Sequence, residues 1–309
     1  MEVILPKYYT KMAKPTNPTK INIIVQSIPE NIVYKLDVTF LSVGLILNIL
    51  IIFVIALKSF MRTSTNCYII SISISCITIL SEPLQKVLKW YFDVYSIINM
   101  DYVCLITYDV SVLTIIILSL EMYVCVCQAD SAFTRFMLKK STAIKGILLM
   151  WCMCIMFVAI ELHLYDFFEG IMDDIYVWFT CMFTFLPCIV FFIIDSMILY
   201  ELAILKSIEG QWRRRELWDY IMLLNITLGF FLTMAPYRIA RAVSFVDRKA
   251  SCCTEKKREI LFFIVKTFPI IFPFTFLVFS MDIHRAIKVP PCINIHEYIS
   301  TISNNPNVS

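Results

Sequence analysis

Seven long apolar stretches dominate this 309-residue sequence, and each is close to the roughly 20 residues that a helix needs to cross a bilayer. They run from Leu36 to Leu57, Asn66 to Leu88, Val103 to Cys127, Ile144 to Leu164, Val177 to Leu199, Leu217 to Val246 and Ile260 to Phe279. An odd number of spans places the two ends of the chain on opposite sides of a membrane. The pattern therefore predicts an all-α membrane protein, a seven-transmembrane helix bundle, and favours receptors, light sensors and a few transporters.

Composition supports a membrane protein with one domain. Hydrophobic residues make up 59% of the chain and charged residues only 17%, which is too apolar for a soluble domain of this size. A net charge of +3 gives no reason to expect a nucleic-acid partner. We predict a membrane domain over residues 36–281, an N-terminal segment over residues 1–35, and an amphipathic helix with a tail over residues 282–309.

Charge at the span ends gives a weak orientation signal. With the N-terminus outside, twelve Lys and Arg fall on the inner side, against nine outer ones close to the spans. The loop between spans four and five carries five acidic residues between Glu161 and Asp174 and no Lys or Arg. The sequence therefore favours an extracellular N-terminus and a multi-pass protein of the plasma membrane.

Several short motifs occur in order along the spans. Gly44 and Asn48 in span one precede a basic turn and the segment Asn66-Cys67-Tyr68, which opens span two. Further motifs are Glu121-Met122-Tyr123 at the end of span three, Trp151 in span four, Met234-Ala235-Pro236-Tyr237-Arg238 in span six, and Phe272-Pro273-Phe274-Thr275-Phe276 in span seven. Together they resemble the rhodopsin-like G-protein-coupled receptors over roughly residues 36–288. Within that class, the start of the chain is most similar to the thyrotropin-releasing-hormone receptors and related invertebrate neuropeptide receptors.

The resemblance implies a set of activation-switch positions, several of which carry unusual residues. These positions are Asn48, Cys76, Ser111, Glu121, Met122, Tyr123, Met234, Pro236, Phe272, Pro273 and Phe276. Family receptors have an Asp where this chain has Cys76, an Arg at Met122, a Trp at Met234, and Asn and Tyr at Phe272 and Phe276. Since buried polar groups in membranes are usually kept for function, their loss predicts a switch that is rebuilt, weakened or absent.

We singled out five ionisable residues in the interior of the spans: Asp109, Asp195, Arg238, Arg241 and Lys266. Each must face the bundle interior or a wet cavity. Asp109 could pair with Arg238 or Lys266 as a structural contact, or Asp109, Tyr237, Arg238 and Lys266 could line a ligand pocket. The resemblance also implies a third alternative, a retinal Schiff base on Lys266, which lies at the offset of the retinal-bearing lysine in opsins.

Two of the twelve cysteines lie near predicted outer span ends. Cys104 and Cys181 would face an oxidising compartment there, so a bridge between them is possible. Cys104 is, however, only 18 residues before Met122, which is shorter than the family spacing. The three histidines are far apart in the sequence, and we found no metal-ligand pair, phosphate loop or catalytic constellation.

The leading functional hypothesis is a divergent receptor for an extracellular peptide or other small ligand. A heterotrimeric G protein at the inner loops and the lipid bilayer would be its partners, and no enzyme activity or resident cofactor is expected. The alternatives are a receptor-fold ligand sink or scaffold with weak coupling, and a chemosensory or opsin-like sensor that uses Lys266.

Overall fold

A computed structural model of the protein describes residues 30–93, 100–128, 131–165, 177–246 and 255–288. Within these residues, seven helices are long and apolar enough to cross a membrane. The spans are Ile32–Leu57, Ser64–Phe92, Val103–Cys127, Lys140–Ile160, Val177–Glu209, Arg214–Ala240 and Ile260–Phe279. The prediction of an all-α bundle with seven spans is confirmed. The main difference is at span five, which continues to Glu209 because the helix extends beyond its most apolar part.

Contacts between spans show that successive helices run in opposite directions. The start of span two meets the end of span three, where Ser64 contacts Glu121. Span three near its start meets span six near its end, where Asp109 contacts Arg238. Spans one, three, five and seven therefore begin at one face of the bundle, which we call the N-terminal face. The other end is called the opposite face.

The centre of the bundle is filled by aromatic side chains from spans six and seven. Phe230, Phe268, Phe272 and Phe276 are all completely or almost completely buried. Phe268 packs edge-on against Phe230, with ring centroids 5.4 Å apart, and lies 6.0 Å from Phe272. Large apolar side chains also cover the outside of the bundle, as expected for helices that contact lipid.

Prolines explain three irregular places in the spans. Pro83 follows a break at Leu80, between the helices Ser64–Ile79 and Ser81–Phe92. Pro187 follows a π-helical turn over Cys181–Phe185, which continues into the helix Leu186–Glu209. Pro269 follows a break that separates Glu255–Val265 from Phe268–Phe279. Proline lacks an N–H and its ring clashes with the carbonyl four residues earlier, so each one interrupts the helix before it.

Gly44 lets span one approach the break in span two. A Cβ atom built on Gly44 would lie 2.8 Å from a terminal carbon of Leu80, which is itself fully buried. The helix Glu30–Leu57 therefore packs closely on span two at this level. This contact places the start of span one beside the second half of span two.

Three short helices lie outside the spans within the described residues, and the first is a 3-10 turn over Ser59–Met61. Ala132–Met137 connects spans three and four, and the Ser131 side chain caps its N-terminus. The predicted amphipathic helix after span seven is confirmed as Met281–Lys288. It buries Ile283 and Ala286 and exposes His284 and Arg285. The remaining helix bounds are Met100–Cys127, Lys140–Tyr165 and Arg214–Val246.

Candidate functional site

A buried ion pair joins spans three and six in the half of the bundle nearer the N-terminal face. Arg238 is 3% exposed and Asp109 is 7% exposed. The Arg238 guanidinium donates a hydrogen bond to the Asp109 carboxylate through Nη1. Of the partners that the sequence left open for Asp109, the structure therefore brings together Asp109 and Arg238.

Aromatic side chains surround the guanidinium of this pair. Its central carbon lies 4.8 Å from the centre of the Tyr108 ring and 5.5 Å from that of Phe183. The Tyr108 hydroxyl is 3.1 Å from the Thr184 hydroxyl. Because cations are attracted to the faces of aromatic rings, Tyr108 and Phe183 stabilise the charge and restrict its movement.

The cavity beside this ion pair is almost completely filled. Its volume is about 10 Å³, and its lining includes Leu105, Met234, Tyr237 and Arg238. A space of this size holds about one water molecule. Tyr237 packs against Phe262 of span seven, with ring centroids 4.5 Å apart. The site is therefore closed in this structure and must open before a larger molecule can enter.

Lys266 belongs to a second charged group rather than to Asp109. Its ammonium lies 2.6 Å from Oδ1 of Asp37 in span one and 2.7 Å from Oε2 of Glu82 in span two. Lys86 lies 2.9 Å from Oε1 of Glu82 and 3.9 Å from Oδ2 of Asp37. The alternative that paired Asp109 with Lys266 is therefore wrong. We call Asp37, Glu82, Lys86 and Lys266 the four-charge cluster.

The other interior charges take different positions. Asp195 is partly buried in span five, and its backbone carbonyl accepts a 3.5 Å hydrogen bond from Tyr220 of span six. Its Oδ1 atom has no hydrogen-bond partner among the described residues. Arg241 lies on the span-six helix, but its side chain is outside the described part of the structure.

Near the opposite face, Glu121 connects spans two and three. Its Oε1 accepts hydrogen bonds of 2.8 Å from Ser64 and 2.5 Å from Thr65, and its side chain is buried. The neighbouring Met122 packs against apolar side chains of spans five and six. The carboxylate is therefore held by two hydroxyl groups at the start of span two.

The possible Cys104–Cys181 bridge is not formed in this structure. Cys104 is buried in the bundle, whereas Cys181 is exposed on the outside of span five. The rotation of the two helices directs these side chains to different environments. The acidic segment between Glu161 and Asp174 lies outside the residues whose side chains are described.

Part of the chain is similar to a known receptor. No family model matches the chain. The chain is similar to a thyrotropin-releasing hormone receptor from Gallus gallus, with 24% identity over 141 residues, which is 43% of this chain and 35% of the relative. The match thus spans about a third of the relative's length, and the matched protein is a receptor. The resemblance to the rhodopsin-like receptors is therefore confirmed.

That relative belongs to a class of receptors rather than enzymes, in agreement with the expectation of no enzyme activity. With the seven spans, it also supports a multi-pass membrane protein. The rhodopsin-like switch positions fall into two groups, one of small or polar side chains and one of larger side chains that pack in the apolar core.

The first group consists of Asn48, Cys76 and Ser111, and its described side-chain hydrogen bonds are made by Asn48. Asn48 is fully buried, and its side-chain nitrogen donates hydrogen bonds of 2.8 Å to the carbonyls of Gly44 and Pro269. Cys76 is also fully buried and packs in the apolar core. Ser111 is buried, and its hydroxyl has no hydrogen-bond partner among the described residues.

The second group has become part of the apolar core. Phe272 and Phe276 are buried in the row of aromatic side chains from spans six and seven, and Met234 is buried beside them. Tyr123 and Met122 are partly buried near span five. At the two Phe positions, where rhodopsin-like receptors carry polar relay groups, this chain has close apolar packing.

Sequence reasoning missed five residues that these sites use. They are Asp37, Ser64, Thr65, Glu82 and Lys86. The signal was present for the charged ones, because Asp37, Glu82 and Lys86 lie inside the predicted spans and ionisable groups there need partners. Ser64 and Thr65 gave no comparable signal, since hydroxyl groups are common in transmembrane helices.

Proposed function

We propose that this chain is a plasma-membrane receptor for an extracellular ligand, and that the ligand binds between spans three, six and seven. The observation that carries the proposal is the buried Asp109–Arg238 pair beside a nearly filled cavity. The pair holds two helices in one arrangement. A ligand group that takes the place of Asp109 or Arg238 would therefore also change how these helices pack.

The chemistry around Arg238 favours a ligand with an acidic or carbonyl group. Such a group could accept the hydrogen bond that Asp109 accepts here. The rings of Tyr108 and Phe183 would keep the guanidinium in place during this exchange. The relative is named as a receptor for thyrotropin-releasing hormone, the sequence resembles neuropeptide receptors, and we propose a short peptide as the ligand class here.

The closed cavity means that ligand binding must select an open state. A ligand shifts such an equilibrium only by its difference in affinity for the two states. Moving the ratio of open to closed from 1:99 to 99:1 would need about 5.5 kcal/mol of that difference. A peptide that forms a charge-assisted contact with Arg238 and fills apolar space could supply a large part of it.

For orientation and coupling, we propose an extracellular N-terminus and a G protein at the opposite face. That face carries the basic stretch Arg213-Arg214-Arg215 at the start of span six. Arg215 lies 3.4 Å from Asp282 of the amphipathic helix, so span six and this helix are already in contact there. A movement of span six would therefore change the surface offered to a cytosolic partner.

A second candidate is a receptor-fold ligand sink or scaffold that couples weakly. The observation that favours it is the apolar packing of Met122, Phe272 and Phe276, three positions that carry polar groups in the rhodopsin-like class. Met is flexible and apolar, so Met122 cannot make the contacts of an Arg. On this second proposal the chain would bind its ligand and couple weakly, so the two properties must be measured separately.

The experiment that tests the proposal is a screen of short peptides on cells that express the full chain. Free and amidated peptides are tested with one sensor that reports dissociation of each G-protein class and with fluorescent versions that report surface binding. We expect at least one peptide to bind in a saturable manner. Binding with no dissociation signal would support the sink, and no saturable binding of any peptide would refute the receptor proposal.

A further inference from the structure

Span seven is divided into two helices at Lys266 and Thr267. The cause is Pro269, which has no N–H to donate to the Val265 carbonyl and whose ring clashes with it. The Ile264 carbonyl accepts a 3.1 Å hydrogen bond from the Thr267 backbone N–H and a 2.6 Å hydrogen bond from the Thr267 hydroxyl. The break is therefore a local structure with its own hydrogen bonds.

After the break, span seven is fixed to span one. A second proline, Pro273, removes the N–H that would otherwise bind the Pro269 carbonyl. Asn48 donates its 2.8 Å hydrogen bond to this same carbonyl, and it also binds Gly44 of its own helix. The helix Phe268–Phe279 is thus attached to span one by a contact that needs no charge.

At the break itself, the attachment is ionic. Lys266 contacts one oxygen of Asp37 and one of Glu82, and Lys86 approaches the other oxygen of each carboxylate. The formal charges of the four side chains add to zero. Lys266, Asp37 and Glu82 are almost fully buried, whereas the Lys86 side chain is 44% exposed.

Before the break, the helix Glu255–Val265 packs mainly against span six. Tyr237 contacts Phe262 there, and among the described residues Phe263 reaches span one through an aromatic contact with Phe40 at 5.1 Å. Tyr237 is also the neighbour of Arg238 in the chain. A movement of this helix would therefore reach the side chains beside the Asp109–Arg238 pair.

We propose that the four-charge cluster fixes the helix Glu255–Val265 in its present position relative to spans one and two. When the cluster separates, this helix can move together with the end of span six. Two buried carboxylates that lose an ammonium are strongly destabilised, so the cluster is either assembled or open, with no favourable intermediate. Lys86 is the member that can leave most easily, because it is already in contact with solvent. The proposal concerns conformation and does not depend on the ligand.

The test measures distances on the two sides of the break in the purified full chain in lipid nanodiscs. Nitroxide labels are attached to a non-canonical keto amino acid, so that all native cysteines remain. One label pair replaces Thr39 and Ile260, which lie above the break, that is, nearer the N-terminal face. The control pair replaces Phe53 and Phe274, which lie below it, nearer the opposite face. These four side chains are exposed, so the labels disturb no core packing.

Lys266→Met is expected to add a second, longer distance population to the pair above the break and to leave the pair below it unchanged. Lys86→Met should give the same population to a smaller extent, and it decides the test if Lys266→Met does not fold. An unchanged upper pair in a folded variant would overturn the proposal. Equal broadening of the distance distributions of both label pairs would also overturn it, because the cluster would then only stabilise the whole bundle.

Discussion

Removing the guanidinium of the Asp109–Arg238 pair should destabilise the protein far more than removing an ordinary buried hydrogen bond. In Arg238→Met, the Asp109 carboxylate stays buried with its ionic partner gone. Breaking a buried ion pair from one side costs about 3 to 5 kcal/mol, because the remaining charge is uncompensated. For a chain of this length, about 2 °C per kcal/mol gives a melting temperature lowered by roughly 6 to 10 °C.

Tyr108→Phe is the matched control for this experiment. It removes the hydroxyl that contacts Thr184 beside the same pair and keeps the ring. Interhelical hydrogen bonds in membrane proteins contribute about 0.6 kcal/mol on average, so the expected change is only about 1 °C. The comparison separates the effect of the charge from that of any polar contact at this site.

A double variant completes the cycle. Asp109→Asn together with Arg238→Met should be less destabilised than Arg238→Met alone, because no unpaired charge remains. Melting is followed by intrinsic fluorescence of the purified chain in lipid nanodiscs. If Arg238→Met melts within about 1 °C of Tyr108→Phe, the two charges do not depend on each other and the reasoning about this pair fails.

Three further predictions concern coupling, orientation and cofactor. Met122→Arg alone should change basal G-protein dissociation little. Met122→Arg with Phe272→Asn and Phe276→Tyr should raise this dissociation more than the single changes combined, because the residues act in one network. Robust coupling of the unmodified chain would exclude the sink. Epitope tags on intact cells should be detected at the N-terminus and not at the C-terminus, and the reverse staining would contradict the proposed orientation. Purified protein given retinal should show no visible band that depends on Lys266, since the Lys266 amine is buried and already in contact with the carboxylates of Asp37 and Glu82. A band lost in Lys266→Ala would establish the sensor alternative.

The seven helices could be predicted because their signal is local. Each span needs about 20 apolar residues, and that length can be counted along the chain without knowledge of the neighbours. The irregular places near Pro83, Pro187 and Pro269 also have a local cause, since a proline acts on the carbonyl four residues earlier. The same rule did not single them out, because Pro236 and Pro273 lie inside continuous helices. Local chemistry thus determines most of the fold.

The partners of the charged residues were predicted less well, because they depend on how the helices rotate and pack. Asp109 was correctly placed in the bundle interior, but the sequence alone left Arg238 and Lys266 as equal candidates. Lys266 instead meets Asp37 and Glu82, since span seven packs beside spans one and two. Asp37 and Glu82 lie nearer the ends of their predicted spans, where a charge can also reach water, so their position alone does not show that they are buried.

Helix rotation also explains the result for the cysteines. Cys104 and Cys181 lie near the same face in sequence terms, yet one side chain is buried and the other is exposed outside the bundle. A difference of one or two residues in a helix turns a side chain by 100° or more, and apolar spans give little periodicity to fix that angle. A pairing between two spans therefore could not be derived from position along the chain.

The most direct test of the receptor proposal is saturation binding of a peptide from the screen to intact cells. Wild-type chain, Arg238→Ala and Lys35→Ala are compared at matched surface expression, where Lys35 is an exposed cation near the same face. A charge-assisted hydrogen bond of about 1.5 to 3 kcal/mol predicts an affinity about ten- to hundredfold lower in Arg238→Ala and unchanged in Lys35→Ala. Equal affinity of all three proteins would contradict a ligand site at Arg238.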